Sequence, residues 1–302
     1  MSSSCKLLVQ ATEQLCKPSS RQCANLAFVP RHKSAVEEDI QRVQDYVTGA
    51  ERLLVITGAG ACHLDWVVYC TAIQASNLLS GISTESGIPD YRSEDVGLYA
   101  TSTKRPMQHK VFMESSKARQ SYWARNFVGW PRWSGFLPNT NHRTLARWEG
   151  AGLVSALVTQ NVDQLHYKAG SRHVIELHGT NSTVTCMSCC FTQPRIQFQR
   201  ELERRNPAMI AKVRPGNSVS AFGGIVPPPI RSVQTDIIRP DGDVELTLEE
   251  VENFHVPDCP KCGGILKPYV VFFGDNVPAA RVAAARKEVS KCDRMLGMTI
   301  PN

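Results

Sequence analysis

Two Cys-x-x-Cys pairs constrain this 302-residue chain more than any other feature of its sequence. They are formed by Cys186 with Cys189 and by Cys259 with Cys262. Each tight turn can aim two sulfurs at one ion, and four thiolates fill a tetrahedral coordination sphere without room for water. The spacing therefore predicts one structural zinc ion (Zn2+). A redox pair and reduced core thiols remain as alternative interpretations.

The segment that holds the two pairs differs in composition from the rest of the chain. It has few long apolar runs and a stretch rich in glycine and proline at 215–229, so its own core is thin and metal must stabilise it. We predict a small zinc-binding domain at 181–265. A helical insert is predicted at 105–150, and its aromatic residues form either a subdomain core or a wall of a substrate cleft: Tyr122, Trp123, Phe127, Trp130 and Trp133.

The remaining chain has the pattern of an α/β sheet. Apolar residues at helical spacing over 36–47, with Gly49 as a stop, predict a helix. Runs typical of buried strands follow at 53–56, 153–158, 174–177 and 269–273.

Each of these runs ends in polar residues or glycine, and ligands of open parallel sheets bind beyond the carboxyl ends of the strands. The predicted fold class is therefore α/β, with a Rossmann-like parallel sheet that spans 34–180 and resumes at 266–302.

Residues that follow the runs are candidates for binding and catalysis. The first run leads into a glycine-rich turn, Gly58–Gly60, as a dinucleotide-binding unit does. His178 follows the third run, and histidine titrates near neutrality as a general base requires. Asn161 and Asp163 follow the second run and offer groups for ribose hydroxyls or a carboxamide. A single histidine is more often a satisfied polar residue than a catalyst, and Asn161 and Asp163 taken alone are better interpreted as turn caps.

The net charge of +6 is concentrated near the N-terminus. Residues 1–35 hold five Lys or Arg residues and one acidic residue, Glu13, in a serine-rich context. This composition predicts a mitochondrial transit peptide at 1–33, with an untargeted disordered tail as the alternative. The zinc segment lacks a basic stripe, which disfavours a nucleic-acid-binding zinc ribbon. No apolar run approaches the roughly 20 residues of a membrane helix.

Taken together, the cysteine pairs and five further blocks resemble the signature of the sirtuin family over roughly residues 36–292. The blocks are 57–60 (TGAG), 81–92 (GISTESGIPDYR), 159–163 (TQNVD), 176–179 (ELHG) and 267–275 (KPYVVFFGD). Within the family, the stretches at 122–131 and 242–244 are most similar to the mitochondrial class II branch.

The resemblance implies an NAD-dependent protein-lysine deacylase of the mitochondrial matrix. An acyl-lysine oxygen would attack the anomeric carbon of the nicotinamide ribose, and His178 would then act as base on a ribose hydroxyl. The products would be lysine, nicotinamide and acyl-ADP-ribose. The class II branch further implies removal of lipoyl or biotinyl groups, other deacylation, or ADP-ribosyl transfer. The implied partners are acyl-lysine proteins of the matrix.

The resemblance also implies roles for individual residues. The catalytic group would be His178, Asn161 and Asp163. The NAD site would comprise Gly58, Ala59, Gly60, Asp90, Tyr91, Arg92, Gln160, Asn161 and Asp163. The substrate backbone would pair, as an added strand, with Val270, Val271, Phe272, Phe273 and Gly274. The zinc ligands would be Cys186, Cys189, Cys259 and Cys262.

Four features depart from the family pattern. Residues 61–81 separate the glycine-rich turn from the next block, a second atypical stretch lies near 215–235 in the zinc segment, and Tyr269 stands where the family has aspartate. After 293 the chain does not continue into further strands of the family sheet, so we expect a sheet incomplete at its C-terminal end with an unpaired apolar edge. A catalytically silent zinc-binding interaction protein is therefore kept as the alternative function. We expect a monomer with neither nucleic acid nor membrane as partner.

Overall fold

The structure is a computed structural model that describes residues 36–58, 72–74, 81–91, 97–101, 105–210 and 246–298. The chain forms two compact units. The first unit comprises Met1–Lys104, Leu137–His178 and Val277–Asn302, and the second unit comprises Arg105–Phe136 and Gly179–Asn276. The predicted leader lies outside the described residues. The domain bounds predicted from the sequence stay a prediction. The division assigns 105–136, 179–180 and 266–276 to the second unit, whereas the sequence placed them in the Rossmann-like part, and it ends the helical insert at 136 rather than 150.

The described elements follow one another in this order: α1 (Glu37–Thr48), β1 (Leu53–Thr57), β2 (Ala72–Gln74), a 3-10 turn (Thr84–Ser86), α2 (Leu98–Thr101), α3 (His109–Glu114), α4 (Ser116–Ser134), α5 (Thr140–Gly150), β3 (Val154–Thr159), α6 (Leu165–Ala169), β4 (Val174–Glu176), β5 (Gly179–Cys186), β6 (Thr192–Pro194), α7 (Arg195–Arg205), a 3-10 turn (Pro207–Met209), α8 (Leu248–Glu252), β7 (Leu266–Val270), α9 (Ala279–Val289) and β8 (Arg294–Met298).

A five-stranded parallel sheet forms the centre of the first unit, in the order β2-β8-β1-β3-β4. Every residue of β1 is buried. Successive side chains of a strand point to opposite faces, so Leu53 and Val55 join one apolar cluster and Leu54 and Ile56 join another. A strand covered on both faces must be apolar throughout. This explains why a continuous run, rather than an alternating one, marked β1 in the sequence.

The sheet confirms the predicted Rossmann-like α/β class and corrects one expectation about its edge. Ala72–Gln74, inside the atypical stretch at 61–81, runs parallel to β8 and pairs with it from Met295 to Gly297. The expectation that the chain adds no strand of the family sheet after 293 is wrong, because Arg294–Met298 forms β8 and pairs with β1 along its whole length. Among the described residues, β2 covers the outer side of β8 over three residues, so the edge of the sheet lies at β2.

The helix predicted over 36–47 is confirmed as α1, which ends at Thr48 with Gly49 as its C-cap. Its Val47 packs into the cluster below the sheet. Across the described part of the chain, no helix combines the length and the apolar character needed to cross a bilayer.

The second unit is built around α4 and a three-stranded antiparallel sheet, β6-β5-β7. The side chain of Ser115 caps α4 by accepting a hydrogen bond from the Ala118 amide at 3.2 Å. The aromatic residues of α4 that the sequence singled out are all buried, which confirms the interpretation as a core. Trp123 packs edge-on against Phe198 at 4.7 Å between ring centroids and donates its indole N–H to the Leu266 carbonyl.

The run at 269–273 corresponds only in part to a strand. β7 spans Leu266–Val270 and pairs antiparallel with β5 in the smaller sheet, not with the parallel sheet. Beyond Val270 the chain turns, because the Asp275 amide donates to the Phe272 carbonyl at 3.0 Å and Gly274 adopts a φ of 77°. Gly274 suits this left-handed position because it has no Cβ to clash. An apolar run alone does not reveal which sheet a strand joins.

Candidate active site and metal centre

The carboxyl ends of β1 and β3 carry linked polar residues in the first unit. Thr57 donates its hydroxyl hydrogen to Thr159 Oγ1 at 2.9 Å, and the Gln160 amide donates to the Thr57 carbonyl at 2.9 Å. These contacts join the two central strands where parallel sheets bind ligands. The sequence prediction that the polar strand endings converge is confirmed for these two strands.

Ser83 lies at the centre of the group predicted to bind the nicotinamide end of NAD. Its hydroxyl donates to Asp163 Oδ2 at 2.7 Å and accepts from the Asn161 side-chain amide at 2.9 Å. All three residues are buried. The structure therefore brings together Asn161 and Asp163, as the sequence predicted, and adds Ser83 between them. We call these three residues the amide cluster.

Burial raises the pKa of Asp163, although hydrogen bonds from the Leu165 amide and from Ser83 oppose the shift. A carboxyl group in this setting needs polar partners to remain ionised. Ser83, Leu165 and the charge of Lys168 supply them. The carboxyl group of Asp163 is thus a buried acceptor within the amide cluster, and it is stabilised mainly by neutral hydrogen-bond donors.

Two side-chain atoms at the carboxyl end of β3, one of them in the amide cluster, are suited to a carboxamide. Asn161 Oδ1 and Gln160 Nε2 are buried and have no hydrogen-bond partner among the residues that the structure describes. A buried amide that lacks a partner is costly, typically by about 1–3 kcal/mol. One of these atoms accepts and the other donates, as recognition of an amide ligand such as nicotinamide requires.

Two buried histidines lie beside these residues. His166 Nε2 lies 2.9 Å from Thr57 Oγ1, His142 Nε2 lies 3.5 Å from Ser83 Oγ, and the two rings are 4.8 Å apart. Burial lowers the pKa of His166 to about 4 and lowers that of His142 well below its ordinary value. Both rings are therefore neutral near pH 7.

His178, the predicted general base, has a defined tautomer. Its Nδ1 lies 3.2 Å from the Gln160 carbonyl, which can only accept, so Nδ1 carries the hydrogen and Nε2 is left as the basic nitrogen. Burial lowers the pKa of His178, the Gln160 bond opposes that shift, and Arg281 adds to it. His178 is thus a neutral imidazole with a free acceptor lone pair near neutral pH.

Glu176, the last residue of β4, precedes His178 by two residues and was not predicted as a site residue. Burial, together with the charge of Asp163, raises its pKa to about 7, and Arg281 opposes the shift. Two carboxyl groups close together resist simultaneous ionisation. The charge of Asp163 therefore disfavours ionisation of Glu176.

The structure locates some of the remaining predicted NAD residues. Asp90 is buried, accepts a hydrogen bond from the Gly81 amide at 3.3 Å through Oδ2, and accepts one from Leu98 through its carbonyl. Tyr91 packs on Tyr99 with 5.8 Å between the ring centroids. The Gly58 amide donates to the Met298 carbonyl at 3.3 Å. The predicted residues Ala59, Gly60 and Arg92 lie outside the described residues.

The four predicted zinc ligands converge in the second unit. Their Sγ atoms all lie within 4.8 Å of one another, with 3.5 Å between Cys186 and Cys262 and 3.8 Å between Cys189 and Cys259. Tetrahedral Zn–S bonds of about 2.3 Å separate sulfurs by about 3.8 Å, so the donor set fits zinc. Cys190 does not belong to this group.

The pKa values of the thiols also favour a metal site. Burial opposes ionisation of Cys186, but hydrogen bonds from the Ser188 and Cys189 amides outweigh it and lower its pKa to about 6. The contact with Cys189 raises the pKa of Cys262 to about 12. Four sulfurs this close do not all lose their protons without a cation among them. A bound metal ion would supply that charge.

The turns that carry the thiols are held tightly. The Met187 amide donates to the Ile265 carbonyl and the Cys259 amide to the Gly264 carbonyl, each at 2.9 Å. A Cβ at Gly264 would lie 2.5 Å from Ser188 Oγ and 3.0 Å from Cys186 Sγ. Glycine is therefore required here so that the two turns can approach each other.

The predicted substrate-pairing segment also lies in the second unit. Val270 and Val271 are half-buried, Phe272 is buried, and Phe273 and Gly274 are exposed. The Phe273 carbonyl accepts the His109 amide at 2.9 Å.

The sequence patterns did not predict Ser83, His142, His166 or Glu176 as site residues, although Ser83 lies in the block at 81–92 and Glu176 in the block at 176–179. The available signal for Ser83 was its position in the 81–92 block. His142 and His166 gave no comparable signal, because a single histidine in a helix is usually an ordinary polar residue.

Comparisons with known proteins agree with this arrangement. The family model described as "Sir2 family" matches residues 80–299 of this chain. The NAD-dependent protein deacylase Sirt4 of Drosophila melanogaster is 46% identical over 273 residues, which are 90% of this chain and 74% of that protein. The mitochondrial NAD-dependent protein lipoamidase sirtuin-4 of Homo sapiens is 43% identical over 280 residues, which are 93% of this chain and 75% of that protein.

Solved structures show the same fold at lower identity. A structure described as bearing on the mechanism and regulation of Sir2 enzymes gives a TM-score of 0.53 at 24% identity and covers 87% of this chain and 75% of that chain. A complex of Sir2 with a p53 peptide and NAD+ gives a TM-score of 0.52 at 22% identity, over 85% of this chain and 74% of that one.

Proposed function

Because the chain belongs to the Sir2 family, we propose that it is an NAD-dependent protein-lysine deacylase. The family matches confirm the resemblance inferred from the sequence blocks. The relatives at 43–46% identity are named as a deacylase or a lipoamidase, which supports an acyl-lysine substrate. The described geometry supports the same reaction through groups suited to a carboxamide and to proton removal.

One observation carries the proposal: among the described residues, Asn161 of the amide cluster and its neighbour in sequence Gln160 each hold a buried amide atom without a hydrogen-bond partner. Asn161 Oδ1 and Gln160 Nε2 complement a carboxamide, and Asp163 is an acceptor fixed by Ser83. These residues would hold the nicotinamide end of NAD. Asp90 and Tyr91, on the segment that follows the described 3-10 turn, would contribute to the cofactor loop.

NAD supplies the anomeric carbon whose bond to nicotinamide breaks. His178 accepts a proton at Nε2 from a ribose hydroxyl, and the Gln160 carbonyl keeps Nδ1 protonated during this step. Burial favours the neutral form that accepts the proton. Positioned proton transfer of this kind contributes typically about 10²–10⁴-fold to rate.

The second unit would bind the acylated peptide and would be stabilised by a structural metal ion. We propose that Val270–Gly274 pairs with the backbone of the acylated peptide. The four thiols would hold one structural Zn2+, with no open position for chemistry. The proposed substrates are lipoyl-lysine and related acyl-lysine proteins of the mitochondrial matrix. The basic leader and the names of the bovine and human relatives support that location.

The test is nicotinamide release from NAD by the full chain, measured with a lipoyl-lysine peptide and with the same peptide unacylated. Over multiple turnovers we expect release that depends on the acyl group and falls about 10²–10⁴-fold in His178→Ala, because a chain that cannot complete the later proton transfer does not return for a second NAD. His173→Ala, at an exposed histidine of the same unit, is the matched control and should keep wild-type turnover.

Mass analysis of the products separates the remaining possibilities. Acyl-ADP-ribose indicates deacylation, whereas a gain of ADP-ribose on protein indicates ADP-ribosyl transfer. Release no greater than in His178→Ala, from a chain that binds zinc and is folded, would overturn the proposal in favour of a silent zinc-binding protein.

A further inference from the structure

Lys267 is a buried cation whose role the deacylase proposal does not explain. Its residue is only 4% exposed, although lysine is rarely buried without a partner. The ammonium donates to the Val270 carbonyl, lies 3.6 Å from Asp275 Oδ2, and lies 4.3 Å from the centroid of the Phe272 ring. All of these groups belong to one short stretch of the second unit.

The contacts of Lys267 connect both ends of the predicted substrate-pairing segment. Val270 begins that segment, and Asp275 follows directly after its last residue. The Asp275 amide closes the turn by donating to the Phe272 carbonyl at 3.0 Å. One ammonium group thus fixes the distance between the start of the segment and the turn that ends it.

A second anchor comes from the start of α3. The His109 amide donates to the Phe273 carbonyl at 2.9 Å, and His109 Nδ1 lies 3.1 Å from Asp275 Oδ2. The side-chain contact is electrostatic rather than an aligned hydrogen bond. The Oδ2 atom of Asp275 is therefore contacted by the ammonium group of Lys267 and by the imidazole of His109.

The Phe272 ring, which lies between the two ends of the segment 270–274, is also held in place. Phe272 packs edge-on against Phe112 at 5.3 Å and against Tyr122 at 5.2 Å between ring centroids. The neighbouring Phe273 is 45% exposed, so the segment presents one side to the core and the other outward. A segment that must pair with a peptide backbone gains from such a preset shape, because less ordering is needed on binding.

We propose that Lys267 and Asp275, with His109 as a second anchor, are positioning residues that hold 270–274 in the shape that receives the acyl-lysine peptide. The inference rests on the proposed deacylase function. It adds a specific cause: the segment is preorganised by an ion pair between the buried Lys267 and the half-buried Asp275.

The alternative is a purely structural ion pair that stabilises the second unit. Removing Asp275 would leave the buried Lys267 charge uncompensated, which is destabilising, whereas replacing both partners is often neutral. Asp275→Asn and Lys267→Met should each lower stability, and the double variant should recover it. The double variant therefore separates a role in folding from a role in positioning.

The experiment measures steady-state kinetics of the full-length single and double variants with NAD and a lipoyl-lysine peptide. We expect the peptide KM of the double variant to rise about tenfold or more, with its kcat and its KM for NAD within about threefold of wild type. His109→Asn should raise the peptide KM by a smaller factor. Glu201→Gln, which breaks an exposed ion pair of α7, is the matched control and should leave all constants unchanged.

A double variant that melts like wild type, binds zinc and keeps the wild-type peptide KM would overturn the inference. A wild-type chain without turnover would count against the deacylase proposal alone. In that case fluorescence anisotropy of a labelled lipoyl-lysine peptide replaces KM. A tenfold weaker Kd in the double variant would support positioning, whereas equal Kd values, or absence of peptide binding by wild type, would contradict it.

Discussion

The amide cluster of the first unit and the thiol centre of the second unit both gather polar groups in a protected place, but they are stabilised differently. Ser83, Asn161 and Asp163 satisfy much of one another's hydrogen bonding, above a sheet whose strand β1 is buried on both faces. The four cysteines bring acidic groups into contact with one another. The first arrangement is stabilised by hydrogen bonds from neutral donors, and the second needs a cation.

The comparison indicates which disturbance each unit tolerates. The first unit has apolar clusters on both faces of its parallel sheet, so its fold does not depend on metal. The second unit has an aromatic core around α4, and Cys186 and Cys259 are themselves part of that core. Metal removal should therefore affect the second unit, and acid should affect the buried histidines of the first.

The largest expected effect is that of breaking the thiol centre. In Cys259→Ser we expect zinc content to fall from one per chain to near zero and amide protection of β5 and β7 to be lost. A structural zinc site contributes about 10–16 kcal/mol of apparent binding free energy in small zinc peptides. Metal analysis combined with hydrogen exchange measures both effects.

Cys190→Ser is the matched control, because Cys190 is exposed and outside the four-thiol group. It should retain one zinc and full protection. Protection of β5 and β7 that survives complete zinc removal would contradict the dependence of the second unit on metal.

A smaller effect is expected from acid on the first unit. An unfolded histidine binds a proton below about 6.5, whereas His166 stays neutral until about 4 in the folded protein. The stabilisation is therefore fully present above pH 6.5 and is lost as the pH falls towards 4, by roughly 3 kcal/mol. His142 acts in the same direction.

Urea unfolding followed by hydrogen exchange in β1 and β3, at pH 7 and pH 5, tests this. His166→Gln should lose part of the decline between the two pH values, whereas His173→Gln, at an exposed position, should keep the wild-type slope. An identical slope in wild type and His166→Gln would show that the buried ring does not cause it.

The smallest effect concerns the cap of α8 in the second unit. Thr247 and Glu250 form a capping box, with the Glu250 amide donating to Thr247 Oγ1 and the Thr247 amide donating to Glu250 Oε2 at 2.9 Å. Thr247→Ala should lower the free energy of unfolding by about 1 kcal/mol. The change should be visible in exchange of α8 amides and absent from β1.

Leu248→Ala serves as the control, since Leu248 is 82% exposed at the same helix end. A similar loss of stability in both variants would attribute the effect to helix propensity or packing rather than to the cap.

Much of the architecture was predictable from local patterns. The continuous apolar run of β1 and the helical spacing of α1 each depend on residues close in sequence, and both elements lie where the patterns placed them. The zinc ligands were predictable for a similar reason, because a Cys-x-x-Cys turn is local even though the two turns are far apart.

Other features could not be read from spacing. The run at 269–273 looked like a strand of the parallel sheet, but the strand ends at Val270 and pairs with β5. Whether an apolar strand joins one sheet or the other depends on partners elsewhere in the chain. The atypical stretch at 61–81 likewise contributes β2 to the sheet edge, which its composition did not indicate.

The sequence by itself determined the family, the four thiols and the residue types available for chemistry, because these follow from identity and short-range order. Only the tertiary structure decided that Ser83 joins Asn161 and Asp163, and that Lys267 is fixed between Val270 and Asp275. Ser83 and Asp163 are 80 residues apart in the chain. Hydrogen bonds and ion pairs act over a few ångströms, so their partners are known only after the strands and turns have been assembled.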